Sequence, residues 1–451
     1  MSIQKVPATD LQYYLVSYDN DGRERQDDPD GLMSARTEKA VREDDITDVF
    51  VMSHGWKGDV PAAIDQYDRW IGAMAECEAD RKEIREQRPG FKPLLIGFHW
   101  PSQPWGEEEF GAGGGSFALA AGGTGGAAGI GPALDRFVDQ YADRIADTPR
   151  AREAIRTVVT AAMNAGPGVT ALPPEVAAAY SVLNEEAGID EDDEREPFDP
   201  NKAFTNARLS AGALGGGTPG MPSFGGFSLS GLLSPLRQLS FWKMKDRARK
   251  LGEEAGFGLL KGLMSAVPAG RDVRFHLMGH SFGCIVVTSM INGPDGTGVL
   301  PRPVNSLMLV QGATSLWGFC TKSDMVDKPG YFRKVIENNK VSGPIVTTQS
   351  KRDTAVGKFY PIAAGVALQT AFPGQFPKYG GLGAFGIQGE GLTLHDLALG
   401  ISTHTYNFEK AHIYNLECTG VIKDGSGASG AHSDIAKPEV AHAMWEAVKA
   451  G

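Results

Sequence analysis

Cysteine is scarce. Only Cys77, Cys284, Cys320 and Cys418 occur among 451 residues, far apart and with no CxxC pair. That argues against a disulfide framework and a cysteine-built zinc site, and leaves reduced, buried thiols of a cytoplasmic protein as the expectation. Positive charge is in deficit too, with 44 Lys and Arg against 55 Asp and Glu for a formal net charge of −11. Without a basic stripe, no nucleic-acid partner is expected, because phosphate contacts need one. No run of about twenty strongly apolar residues exists to span a bilayer. The opening MSIQKVPATDLQ has no basic segment leading into an apolar core, so a secretory signal is not expected. HExxH, clustered Cys/His and a P-loop lysine are all missing, so neither a metal nor a nucleotide cofactor is anticipated. The GxGxxG-like runs of Gly111–Gly131 follow no strand and have no suitably placed acid beyond them, which argues against dinucleotide binding.

What the chain has in excess is glycine, 58 residues against an average usage of about 7%. Between turn signals lie short apolar runs that read as strands: Gln12–Ser17, Asp48–Met52, Pro93–His99, Arg274–Met278, Val304–Val310, Pro344–Thr348 and His412–Glu417. Continuous rather than alternating hydrophobicity suits strands covered on both faces of a parallel sheet. Helical spacing appears over Pro61–Arg85, Lys243–Ala266 and Pro438–Lys449, the last with a proline placed to open it. This alternation predicts an α/β fold with a mostly parallel central sheet flanked by helices. It is interrupted twice, over 101–240 and about 359–404. The first interruption holds two expected helices, Pro132–Asn164 and Pro174–Glu186, and Gly-rich stretches. Both are expected to be insertions covering one end of the sheet, so the core divides into 1–100 and 241–451. The acidic run Glu185–Glu196 reads as a solvated loop.

One stretch carries chemistry. In RFHLMGHSFGCIVV an apolar strand runs into Gly279-His280-Ser281-Phe282-Gly283 and an apolar helix-length segment runs out. That is the setting of a G-x-S-x-G nucleophile elbow, whose strained turn lifts the serine above the sheet end while the glycines let strand and helix pack closely. A serine needs a histidine base and the base an orienting acid, in the chain order Ser, acid, His for this turn. Asp353 follows the strand PIVTT, and His432 follows the strand HIYNLE just ahead of the last helix. Asp324 and Asp327, after the preceding strand, are rivals for the acid. His395, His404, His412 and His442 fit surface or packing roles more readily, and Asp434 a cap or turn. For the oxyanion, the N–H of Phe282 supplies one expected donor. The other is assigned to Trp56, because the strand VFVM leads into Ser53-His54-Gly55-Trp56, with Gly55 allowing close approach and His54 bracing the turn.

Taken in order, VFVMSHGW, GHSFG, TTQSKRD and GAHSDI resemble the α/β-hydrolase superfamily of serine esterases and lipases, and VFVMSHGW with FHWPSQPW is similar to its poorly characterised bacterial members. The resemblance covers the sheet-forming parts of the chain. It implies an α/β-hydrolase fold for those parts; the large helical, Gly-rich insertion lies outside the resemblance and is expected, from its place in the chain, to form a cap or lid. It also implies a Ser281–Asp353–His432 triad and a small-molecule or lipid ester as substrate, with no cofactor. Phe224, Phe227, Leu229, Leu232, Leu233, Leu236, Leu239, Phe241 and Trp242 either line a lid favouring a hydrophobic acyl or alcohol group or fill the insertion's own core. A carboxylesterase is the leading expectation. Its competitors are a phospholipase or other lipolytic enzyme docking on a membrane surface, and a catalytically inactive hydrolase fold used for binding.

Overall fold

The computed structural model describes residues 3–26, 28–56, 60–102, 130–165, 169–189, 197–213, 232–323, 325, 327–363, 376–425 and 429–451. Most of the Gly-rich stretch at 111–131, the end of the acidic run from 190, Phe224, Phe227, Leu229, Asp324 and part of the 359–404 stretch lie outside them.

Among the described residues nine strands form one sheet: β1 (Ile3–Lys5), β2 (Gln12–Ser17), β3 (Asp48–Ser53), β4 (Pro93–His99), β5 (Arg274–His280), β6 (Ser306–Val310), β7 (Ile345–Gln349), β8 (Leu394–Ala398) and β9 (Ile413–Glu417). Their order is β1-β2-β4-β3-β5-β6-β7-β9-β8. Only the β1–β2 pairing is antiparallel; every other neighbour pair is parallel. All seven expected strands are present. The central ones, β3 (DVFVMS) and β6 (SLMLV), are buried at every position, as continuous apolar runs between helix-covered faces require. The two strands without a sequence signal are β1, only three residues long, and β8 (LHDLA), half-exposed at the sheet edge. An edge strand needs no apolar run, so periodicity does not reveal it.

The expected helix Pro61–Arg85 is two helices, Val60–Glu76 and Glu78–Gln87, broken where Cys77 takes ψ 66. Lys243–Ala266 starts earlier, at Ser234, and passes through a π-helical turn at Gly252–Gly256. Pro132–Asn164 is also two helices, Ile130–Arg144 and Pro149–Asn164, the second capped by Thr148 Oγ1 accepting from the Ala151 N–H. Helices Met33–Glu43 and Pro200–Ala213 had no clear sequence signal.

The chain forms two compact units. The first, Met1–Ser102, Arg247–Gly357 and Gln375–Gly451, contains the sheet. The second, Gln103–Asp246 and Lys358–Gly374, is helical in its described part. It has its own core, including Ile155, Val158, Tyr180, Leu183, Leu232, Leu236 and Leu239. The apolar residues from Leu232 to Leu239 are therefore core of this unit. All four cysteines are free, three of them buried and Cys77 half-buried. Among the described residues no helix is long and apolar enough to cross a membrane.

Candidate active site

Strand order places the site. β3 lies between β4 and β5: after β3 the chain places β4 between β2 and β3, then reverses direction and sets β5 on the other side of β3. Ligands of open α/β sheets bind at such a reversal, outside the carboxyl ends of the strands. β3 and β5 run in register, Ser53 beside Gly279, so the segments leaving them, His54-Gly55-Trp56 and Ser281-Phe282-Gly283, emerge side by side. A Cβ on Gly55 would sit 2.7 Å from Ser281 Cβ, and the Trp56 and Phe282 rings are 5.6 Å apart. The loop assigned to oxyanion binding thus abuts the elbow.

Ser281 has φ 56, in the left-handed region that L-residues avoid. Its own backbone holds it there. The Ser281 N–H donates to Val310 O at 3.2 Å, and its carbonyl accepts from the N–H groups of Cys284 and Ala313 at 3.1 Å. The helix Gly283–Asn292 starts at once and packs so tightly on the end of β3 that a Cβ on Gly283 would lie 2.3 Å from Ser53 O. On Gly279 it would lie 2.5 Å from Gly283 O. Both glycines of the pentapeptide are therefore demanded by close approach. Cys284 is no rival nucleophile, since burial pushes its thiol well above the ordinary range and leaves it protonated.

Asp353 and His432 meet. His432 Nδ1 lies 2.7 Å from Asp353 Oδ2, so the imidazole donates there and its Nε2 is the basic nitrogen. The loops after β7 and β9 are stitched together by a bridge between Asp353 and Gly430 and by the Ala431 N–H donating to Arg352 O at 3.0 Å. Asp353 is 1% exposed, His432 9% and Ser281 6%, so the acid is enclosed and the other two stay at a wall solvent can reach. Ser281 Oγ makes no hydrogen bond to His432. Such bonds are often long without substrate and close in the Michaelis complex. His280 links the two segments: its Nε2 donates to His432 O at 2.9 Å, and the rings stand 4.9 Å apart.

His54 braces its turn, as its position implies. Nδ1 donates to Gly55 O at 2.7 Å, Nε2 accepts from the Trp100 N–H at 3.3 Å, and the His54 carbonyl accepts from Trp100 Nε1 at 3.1 Å. One ring nitrogen donates and the other accepts, which is a neutral imidazole. Tyr67, on helix Val60–Glu76, accepts from the His54 N–H at 2.9 Å and donates to Phe98 O at 2.6 Å, anchoring the turn to β4.

The rivals lie elsewhere. Asp327 is exposed and Asp324 is outside the described residues. Asp434 Oδ2 accepts from the N–H groups of Lys423 and Asp424, a turn role. His395 and His412 pair with each other at 3.2 Å, and His442 pairs with Asp80 at 2.8 Å. Asp80, His442 and Glu446 come close enough together to hold a metal ion, yet the Lys449 ammonium already contacts both carboxylates. A second Ser–His–Asp chain was not anticipated. Ser306 Oγ lies 2.8 Å from His276 Nδ1, and His276 Nε2 lies 3.1 Å from Asp48 Oδ1, with Arg88 on the same carboxylate oxygen. It sits where β3, β5 and β6 begin, with His276 and Asp48 fully buried, so no substrate reaches it. Gln311, whose amide reaches Asp353, was also missed; its only sequence signal is a polar residue and a glycine directly after an apolar strand.

Compared with known protein families, curated proteins and solved structures, the chain matches none.

Proposed function

We propose that this protein is a serine hydrolase of the α/β-hydrolase type that cleaves carboxylic esters. One observation carries the reading: Asp353 and His432, 79 positions apart, meet at 2.7 Å, and the His432 carbonyl is bonded to His280, the residue directly before a serine in left-handed backbone at the end of β5. In the proposed reaction His432 Nε2 takes the Ser281 proton as Oγ attacks the acyl carbonyl, and Asp353 accepts from Nδ1–H and stabilises the imidazolium. The amides of Phe282 and Trp56 bind the oxyanion. His432 then protonates the departing alcohol, and water activated by the same nitrogen releases the acid and restores Ser281. No cofactor is required. The substrate class is a small-molecule or lipid ester, with the cap reading of the helical unit belonging to the same proposal.

A fluorophosphonate probe tests it directly. Wild-type protein should be labelled and Ser281→Ala should not, while His432→Ala should slow labelling by about 10⁴-fold or more. Folded wild-type protein that stays unlabelled by a small fluorophosphonate overturns the reading.

A further inference from the structure

We propose that Gln311 is a positioning residue for this site, holding the Asp353 carboxylate where the His432 imidazole needs it; the inference rests on the hydrolase reading. Gln311 follows β6 directly, is fully buried and has φ 46, a conformation a glutamine adopts only against a steric penalty. Its Nε2 donates to Asp353 Oδ2 at 2.9 Å, the same oxygen that accepts from His432 Nδ1. The second Nε2 proton goes to Gly383 O at 3.0 Å. Thr348 Oγ1 donates to Gln311 Oε1 at 2.9 Å and accepts from the Gln311 N–H at 3.0 Å. A flipped amide would set its oxygen against the carboxylate and leave Thr348 without an acceptor, so the orientation is determined by its partners.

The consequence falls on Asp353. An aspartate has two rotatable side-chain bonds, and His432 alone could not keep its carboxylate from swinging. Gln311 fixes Oδ2, and the Val356 N–H fixes Oδ1 at 2.9 Å. Three donors from three segments thus set both the position and the plane of the group that selects the His432 tautomer. A residue needed only to fill space at this buried point would not require an amide, nor a strained backbone to aim it.

The test measures fluorophosphonate labelling rates, relative to wild type at the same pH, for Gln311→Met, Gln311→Glu and Thr348→Val. Gln311→Met fills the same space without a donor, and labelling should fall about ten- to a hundredfold at every pH. Gln311→Glu places two carboxyl groups in contact that share one proton, and it donates only while that proton is held. Its relative rate should approach wild type near pH 5.5 and fall to the Gln311→Met level as pH rises to about 9. Thr348→Val leaves the amide in place but unaimed and should lose less than Gln311→Met, which keeps the test open if that variant does not fold. The positioning role is overturned if Gln311→Met labels at the wild-type rate, or if the Glu-to-Met ratio is flat across pH, as a purely structural role predicts. Failure of the hydrolase reading is distinct, because there the wild type itself is unlabelled.

Discussion

At φ 56 the Ser281 Cβ crowds the following carbonyl, a penalty of roughly 1–2 kcal/mol that glycine does not carry. Ser281→Gly should therefore be more stable than Ser281→Ala by about 1 kcal/mol, after allowing for the greater freedom of glycine in the unfolded chain. Urea unfolding of the two variants compares them; equal midpoints would mean that the turn is unstrained. The residues of this turn were legible because strain and close packing leave few alternatives. Gly279, Ser281 and Gly283 stand between an apolar strand run and an apolar helix-length run, the setting of a sharp strand-to-helix turn, and His54 and Gly55 occupy the matching turn after β3. Gln311 left almost no trace. A glutamine after a strand is ordinary, and its meaning comes from Asp353, 42 positions on, which reaches it only through folding.

Elements are joined by buried polar groups whose residue types resemble a catalytic set. Asp48 on β3 and His276 on β5 pair at the start of the sheet. Burial opposes the Asp48 charge, but hydrogen bonds from His276 and Thr47 and the nearby Arg88 hold its carboxyl below the usual range. Burial likewise keeps His276 neutral by lowering its pKa. The C-terminal helix Pro438–Ala450 uses a different balance. Burial works against the His442 imidazolium, yet its bonds to Asp80 and the His404 carbonyl, with the charges of Asp80 and Glu446, raise its pKa above 6.5. A raised histidine contributes its full stabilisation below the unfolded value and loses it as pH climbs through the folded one. The stability difference between wild type and His442→Gln should thus be larger at pH 6 than at pH 8.5. Urea midpoints at the two pH values check this, and a constant difference would show that His442 does not titrate as argued. Helix starts such as Pro438 were legible from the chain. The half-exposed edge strand β8 was not, because nothing in LHDLA departs from a surface loop.

On the scale of the whole molecule, two units carry separate hydrophobic cores, one around the sheet and one among the helices of the second unit. Leu236 is fully buried in the second core, beside a Tyr180 whose hydroxyl donates to Leu232 O at 2.6 Å. Leu236→Ala should cost that unit about 2–5 kcal/mol through lost burial and the cavity left behind. Hydrogen exchange would then show weaker protection across Pro149–Asn164 and Pro174–Ala187, with β5 unchanged. Equal loss in β5 would mean that the two cores unfold as one.

The amino-acid sequence by itself determined the alternation of strands and helices, the burial of the central strands and the elbow, since each rests on local pattern: apolar runs, proline at helix starts, glycine where backbones touch. Only the tertiary structure decided the strand order, the reversal that sets Gly55 against Ser281, the pairing of Asp353 with His432, and the separation of that pair from the look-alike Ser306–His276–Asp48 chain. These are contacts between residues tens to hundreds of positions apart. A hydrogen bond of 2.7 Å depends on where two strands lie in the sheet, and no local spacing encodes that distance.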